Sequence, residues 1–160
     1  MKHKQLTDYV TGKILQNLSL NDSKKIMEDW ESIYCPVPKS ERQSLHISQY
    51  RWHTFSSGTY ESIDGDNAIS EYGRQLARAF YVIPELSFYP SEAFEVDELP
   101  STELSQMYSD FYIFPKNLAW TFAFTHEHGW LGPYFAKHPN YENLNKHNLQ
   151  SLEAKNKGWS

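Results

Sequence analysis

"DFYIFPKNLAWTFAFTHE", Asp110 to Glu127, decides the fold. Two aromatic-rich runs, Phe111–Phe114 and Leu118–Phe124, flank Pro115-Lys116-Asn117. Aromatic and β-branched side chains favour pleated backbone, and a short turn-forming segment between two such runs predicts a β-hairpin over 110–125. With a period of two, Leu118, Trp120, Phe122 and Phe124 share one side of the second strand. Ala119, Thr121, Ala123 and Thr125 share the other. Downstream, "GWLGPYFAKHP" predicts a third strand after a tight turn at His128-Gly129, which extends the hairpin into a meander.

Upstream the pattern changes period. Leu6, Tyr9, Val10 and Ile14 recur at helical spacing, as do Ile26, Trp30 and Ile33, with Asp22 or Ser23 placed to cap the second run. The polar residues between them predict an N-terminal helical hairpin over 1–34. "CPVPKSERQS" breaks the helix with two prolines. "HISQYRWHTF" alternates and predicts a strand, "SSGTYESIDGDN" a loop turning at Asp64-Gly65, and "NAISEYGRQLARAFYVI" a helix capped by Asp66 and ended by Pro84. "ELSFYP" predicts a short strand. The segment 140–160 carries Leu144 and Leu152 but little else apolar, which predicts a weak helix or a loosely structured tail. Helices and strands do not alternate as βαβ units. The expected fold is α+β, an antiparallel sheet with helices packed mainly on one face, in a single domain over 1–160.

The 160 residues suit one core, and aromatics make up 16% of them against a mean hydropathy of -0.68. A polar surface therefore covers a core of large rings. One cysteine, Cys35, forms no internal disulfide, and the basic N-terminus has no apolar run of signal-peptide length. No stretch approaches the ~20 apolar residues of a membrane span. These features predict a cytoplasmic protein with no membrane partner.

Net charge is -5, unevenly spread: +2 over residues 1–55, -9 over 56–115 and +2 over 116–160. "SEAFEVDELPSTELSQMYSD", Ser91 to Asp110, holds six acids and no base. Such a segment repels phosphates and argues against direct nucleic-acid contact. It suits a basic protein partner, with Glu92, Glu95, Asp97, Glu98, Glu103 and Asp110 as the charged contacts and Phe94 and Tyr108 as anchors. The competing reading is an acidic, solvated loop.

Three further groups bear on chemistry. His126 and His128 lie on one face of an extended segment, about 7 Å apart, and His53 or Glu127 could complete a metal site. The spacing is not that of a His-Glu-x-x-His helix, and the bland alternative is a pair of imidazoles that satisfy turn backbone. His53 with Ser56 and Ser57 raises a nucleophile-and-base arrangement, without the Gly-x-Ser-x-Gly elbow. Cys35, in "IYCPVP", reads as a buried, inert thiol. No glycine-rich phosphate loop or dinucleotide fingerprint is present, and no cofactor is expected.

"YRWHTFS" at Tyr50–Ser56, with "LAWTFAFTHEHGWLGPYF" at Leu118–Phe135, resembles an uncharacterised family of small bacterial cytoplasmic proteins. Its members carry a Trp-His-x-Phe-Ser segment and a later Thr-His-Glu…Gly-Pro-Tyr-Phe segment. The matching positions are Trp52, His53, Phe55, Ser56, Trp120, Thr121, Thr125, His126, Glu127, Gly132, Pro133, Tyr134 and Phe135. That family has no established activity, so the likeness carries over no catalytic residues. In size and charge the chain also resembles the immunity proteins of bacterial toxin systems, including contact-dependent inhibition, which cover a toxin's active site. The leading expectation is an immunity protein that neutralises a cognate toxin domain, a basic nuclease, through the acidic segment, without enzymatic activity of its own. The alternative is a metal-binding protein or small hydrolase centred on His53, His126 and His128.

Overall fold

The computed structural model describes residues 6–127 and 130–158. A short 3-10 turn at Leu6–Asp8 leads into strand β1 at Ile14–Asn17 and helix α1 at Leu20–Tyr34. The single-turn helices α2 (Lys39–Arg42) and α3 (His53–Ser56) follow, then strand β2 (Ile63–Asp64) and helix α4 (Gly65–Gly73). Strands β3 (Phe80–Pro84) and β4 (Phe94–Val96) precede a second 3-10 turn at Thr102–Gln106. Strands β5 (Phe111–Pro115), β6 (Trp120–Phe124) and β7 (Tyr134–Lys137) lead to the C-terminal helix α5 (Tyr141–Asn156). The strands form one antiparallel seven-stranded sheet in the order β1-β4-β3-β5-β6-β7-β2. The α+β architecture stands, and the predicted hairpin is its centre, with Phe111 opposite Phe124 and Ile113 opposite Phe122.

Every residue of β5 and β6 is buried. Phe111, Ile113, Trp120, Phe122 and Phe135 enter one core, with Ala68 and Tyr72 of α4 and with Tyr141 and Leu144 of α5 packed against it. Tyr112, Phe114, Ala123, Tyr134 and Ala136 enter a second, with Met27, Trp30 and Tyr34 of α1 and with Trp52 and Phe55. Helices therefore cover both faces rather than mainly one, because the central strands are apolar on both. Fully burying a large apolar side chain stabilises the fold by about 1.5–3 kcal/mol, so strands apolar on both faces favour two coverings. Leu118, expected on the Trp120 side, belongs to the opposite core, because its backbone is left-handed (φ 60) and β6 begins only at Trp120.

Four local expectations are corrected. The N-terminal helical hairpin over 1–34 is absent: its second helix exists as α1, capped by Ser19 through the Asp22 N–H, but its first is replaced by β1, which pairs with β4. Gly12 shows why. A Cβ there would stand 2.5 Å from Asp97 Oδ1 and 2.9 Å from the Glu98 amide, so the chain runs flush against the 97–98 segment. The strand expected over 46–55 is instead a set of turns ending in α3. Its backbone bonds locally and to a side chain, the Trp52 amide donating to the Tyr112 hydroxyl at 3.0 Å. The helix expected through 67–83 stops at Gly73, where glycine is costly, and "FYVI" joins the sheet between β4 and β5. Asp64, not Asp66, occupies its N-cap position. "ELSFYP" is a turn, with the Phe88 and Tyr89 amides both bonded to the Glu85 carbonyl. The expected strand after "GWLG" is β7, whereas its turn at His128-Gly129 lies outside the described residues. The C-terminal segment takes the helical alternative, as α5. Among the described residues no helix is long and apolar enough to cross a membrane.

α1 is fastened to the sheet by two buried hydrogen bonds, Trp30 Nε1 to Thr121 Oγ1 at 2.9 Å and the Tyr34 hydroxyl to the Leu118 carbonyl at 2.8 Å. Thr121→Val removes one acceptor and leaves the indole N–H buried without a partner. Unfolding free energy in urea is expected to fall by about 1–3 kcal/mol. Thr121→Ser, which keeps the hydroxyl, is expected to fall less.

Candidate functional site

Register brings a polar cluster to one end of the central strands. Pro84 ends β3 opposite Phe111 at the start of β5, and Phe111 stands opposite Phe124 at the end of β6. Glu85, Asp110 and His126 therefore leave the sheet side by side, and the Glu85 amide bonds the Asp110 carbonyl at 2.9 Å. Both carboxylates are buried. Over them lies the turn segment Tyr50–Ser56.

Asp110 Oδ1 accepts from Trp52 Nε1 at 2.9 Å and from the His126 amide at 3.0 Å. His126 Nδ1 lies 3.0 Å from Oδ1 and 3.1 Å from Oδ2. An ionised carboxylate only accepts, so Nδ1 carries the hydrogen and Nε2 is turned away from Asp110. The imidazole is 37% exposed, and Nε2 is 3.8 Å from Glu127 Oε1. Glu85 accepts from Arg51 Nη1 at 2.6 Å and from the Tyr112 hydroxyl at 2.7 Å. Burial pushes the Glu85 carboxyl up, against the opposing pull of Arg51 and of the Tyr112 hydroxyl. Burial works against the Arg51 charge too, but Glu85, Tyr112 and Glu31 outweigh it and hold the guanidinium protonated.

Rings line the outer side. Tyr50 stacks on Trp52 and on Phe88, both at 5.7 Å, and lies 4.9 Å from the His126 ring. Phe88 is 53% exposed. His53 sits 4.0 Å from Trp52 and 6.1 Å from Tyr50, and its Nδ1 is 2.8 Å from Ser56 Oγ. Burial, then His46, lowers the His53 pKa below 6.5, which keeps it neutral at neutral pH. Burial raises the Tyr50 hydroxyl, and Asp110, Glu85 and Glu127 raise it further. Trp130, 82% exposed, follows in the turn after His126, its amide on the Glu127 carbonyl at 3.1 Å. The arrangement offers an outward imidazole nitrogen on a buried, hydrogen-bonded carboxylate, beside a set of packed rings of which Phe88 is the most exposed around Tyr50.

Residues 17–135, about three quarters of the chain, match a family described as a domain of unknown function (DUF4275). The chain belongs to that family. No curated protein and no solved structure matches it. The matched span holds the whole ring and carboxylate cluster, while α5 lies beyond it.

The acidic segment of this DUF4275 domain is placed otherwise than expected. Phe94 and Tyr108, the expected anchors, are core residues and cannot reach a partner. Glu95 is buried, bonded to Gln16 and paired with Lys116 at 3.0 Å. Asp97 accepts the Lys13 amide at 2.7 Å and faces Lys155 at 3.7 Å, and Glu98 accepts from Thr11. Asp110 serves the internal network. Glu92, Glu98 and Glu103 remain exposed. Acids dense in sequence are thus spread over β4, its flanks, the second 3-10 turn and the residue before β5, and several hold the N-terminal segment in place.

Of the histidines, the structure brings His53 and His126 to the same rings, while His128 lies outside the described residues. Among the described residues no group of three or more His, Cys, Asp or Glu is arranged to hold a metal. Ser56 contacts His53 and Ser57 donates to the His53 carbonyl. Cys35 is buried, and burial followed by Glu31 pushes its thiol up to about 11, an inert state. Glu85, Arg51, Tyr50 and Phe88 were missed as site residues. The one available signal was Glu85 itself, a charge inside the apolar run "YVIPEL".

Two outcomes follow. Asp110→Ala strips the acceptor from the Trp52 indole and the His126 amide, and each N–H left unpaired costs about 1–3 kcal/mol; urea unfolding measures the loss. His53 favours the folded state only while neutral, so its contribution is complete above pH 6.5 and is lost as pH falls through its lowered folded value. An NMR titration is expected to place its midpoint below 6.5.

Proposed function

We propose that this chain is a protein-binding domain that acts as an immunity protein, covering a cognate basic toxin domain with the ring surface around Tyr50, Phe88 and His126. One observation carries the reading: Phe88, half exposed, stacks on Tyr50, which lies against an imidazole fixed by buried Asp110. Exposed aromatic rings that are already ordered lose little entropy on binding, and such residues dominate interface energetics. Of the carboxylates that act on Tyr50, Glu85 pairs with Arg51 and Asp110 bonds Trp52 and His126, while the partly exposed Glu127 favours a basic partner. The acidic segment is not the contact surface in this proposal.

The test is titration calorimetry against candidate basic toxin domains, together with survival of cells that express such a domain with and without this chain. Phe88→Ala and Tyr50→Ala are each expected to weaken binding by about 30-fold, the size of a ~2 kcal/mol hot spot. Charge reversal of exposed Glu92 and Glu103 is expected to leave the dissociation rate unchanged. Wild-type affinity in both aromatic variants would sink the proposal.

A second reading is favoured by the Asp110–His126 pair, which is the geometry of an oriented general base, with the His53–Ser56 pair on the same rings. It predicts hydrolysis of activated ester substrates, reduced about 10²–10⁴-fold in His126→Ala. No turnover above the His126→Ala background would exclude it.

A further inference from the structure

A cavity of about 410 Å³ opens beside α1 and is lined by Lys24, Glu28, Glu31, Lys39, Arg42 and Arg51 among others. Four cations face two carboxylates there, and a third carboxylate, buried Glu85, pairs with Arg51 at 2.6 Å, in a chain whose net charge is -5. Glu31 draws both guanidiniums to one wall, 3.3 Å from Arg42 Nη1 and 3.5 Å from Arg51 Nε. Among the described residues the two guanidiniums make only three hydrogen bonds: Arg42 to the Val37 carbonyl and to Glu31, and Arg51 to Glu85. Arg51 Nε is buried and has none. A guanidinium carries more N–H donors than these bonds use, in a planar fork that matches oxyanions. Lys24 and Lys39 are exposed and complete the ring of positive charge.

We propose that this cavity binds the phosphate group of a small molecule. Its volume is that of a small-ligand site. Two guanidiniums and two exposed ammonium groups offer N–H donors to the several acceptor oxygens of a phosphate, more oxygens than a single carboxylate presents. Glu31 acts as a positioning residue that holds Arg42 and Arg51 in register. The site shares Arg51 with the polar cluster under the ring surface, where its Nη1 bonds Glu85, but its lining includes none of Tyr50, Phe88 and His126.

The probe is inorganic pyrophosphate, titrated calorimetrically into the full chain at low salt. Saturable binding is expected, and the Lys24→Ala/Lys39→Ala double variant, whose substitutions lie on the exposed surface, is expected to bind about tenfold more weakly through loss of two charge-assisted contacts. Arg42→Ala is expected to lose binding, with its melting profile recorded to show that it folds. Unsaturable heats in the wild type, or equal affinity in the double variant, would overturn the proposal. So would tighter binding of a single-stranded oligonucleotide than of pyrophosphate, or sedimentation with phosphatidic acid vesicles that pyrophosphate does not compete away.

Discussion

Strands β5 and β6 are apolar on both faces, and the arrangement of the other elements answers that constraint. A sheet of this kind exposes rings to water on whichever side is left bare. α1 and the Trp52–Phe55 segment close one face, while α4 and α5 close the other. The coverings are tied down by polar atoms as well as packed. Trp30 reaches Thr121 and Tyr34 reaches the Leu118 carbonyl, so α1 is registered on the sheet rather than merely adhering to it. On the opposite face the Tyr72 ring stacks on Phe122 at 4.3 Å, and its hydroxyl bonds the Pro100 carbonyl.

The polar cluster is the counterpart of that apolar centre. Where β3, β5 and β6 end together, their next residues are Glu85, Asp110 and, one place further, His126. Buried carboxylates are costly unless hydrogen-bonded, and here the overlying turn supplies donors from Arg51 and Trp52, and β5 supplies the Tyr112 hydroxyl. The result is a stiff polar floor under exposed rings. Stiffness is what both proposed activities need: a binding surface that loses little entropy, or an imidazole held at one tautomer. The acidic composition that first suggested a partner surface has a different physical origin in much of its length. Glu95, Asp97 and Glu98 bond the N-terminal segment and neighbouring lysines, so their charge is largely met within the fold.

The hairpin and the α+β class were legible because aromatic runs about a turn carry their own local signal. α1 was legible for the same reason, through Ile26, Trp30 and Ile33. Failures occurred where local and long-range preferences compete. Leu6, Tyr9, Val10 and Ile14 have helical spacing, yet Ile14 pairs with Val96, more than eighty residues away, as the sequence numbers of the pair require. Phe80–Ile83 continues a helical pattern from Ile69, yet the free edges of β4 and β5 claim it. His53 and His126 were singled out by residue type, and the structure does bring them to shared rings. Asp110 was singled out for the wrong reason, as a surface charge.

Composition and short-range pattern thus decided the elements that carry their own local signal: the central hairpin, α1 and the strand after Gly132-Pro133. Only the tertiary structure decided which acids are buried, which rings stay exposed and that Glu85, Asp110 and His126 meet. Those outcomes depend on strand register between segments far apart in the chain. Register is set by the sum of side-chain packing on two faces, and no local stretch of residues contains that sum.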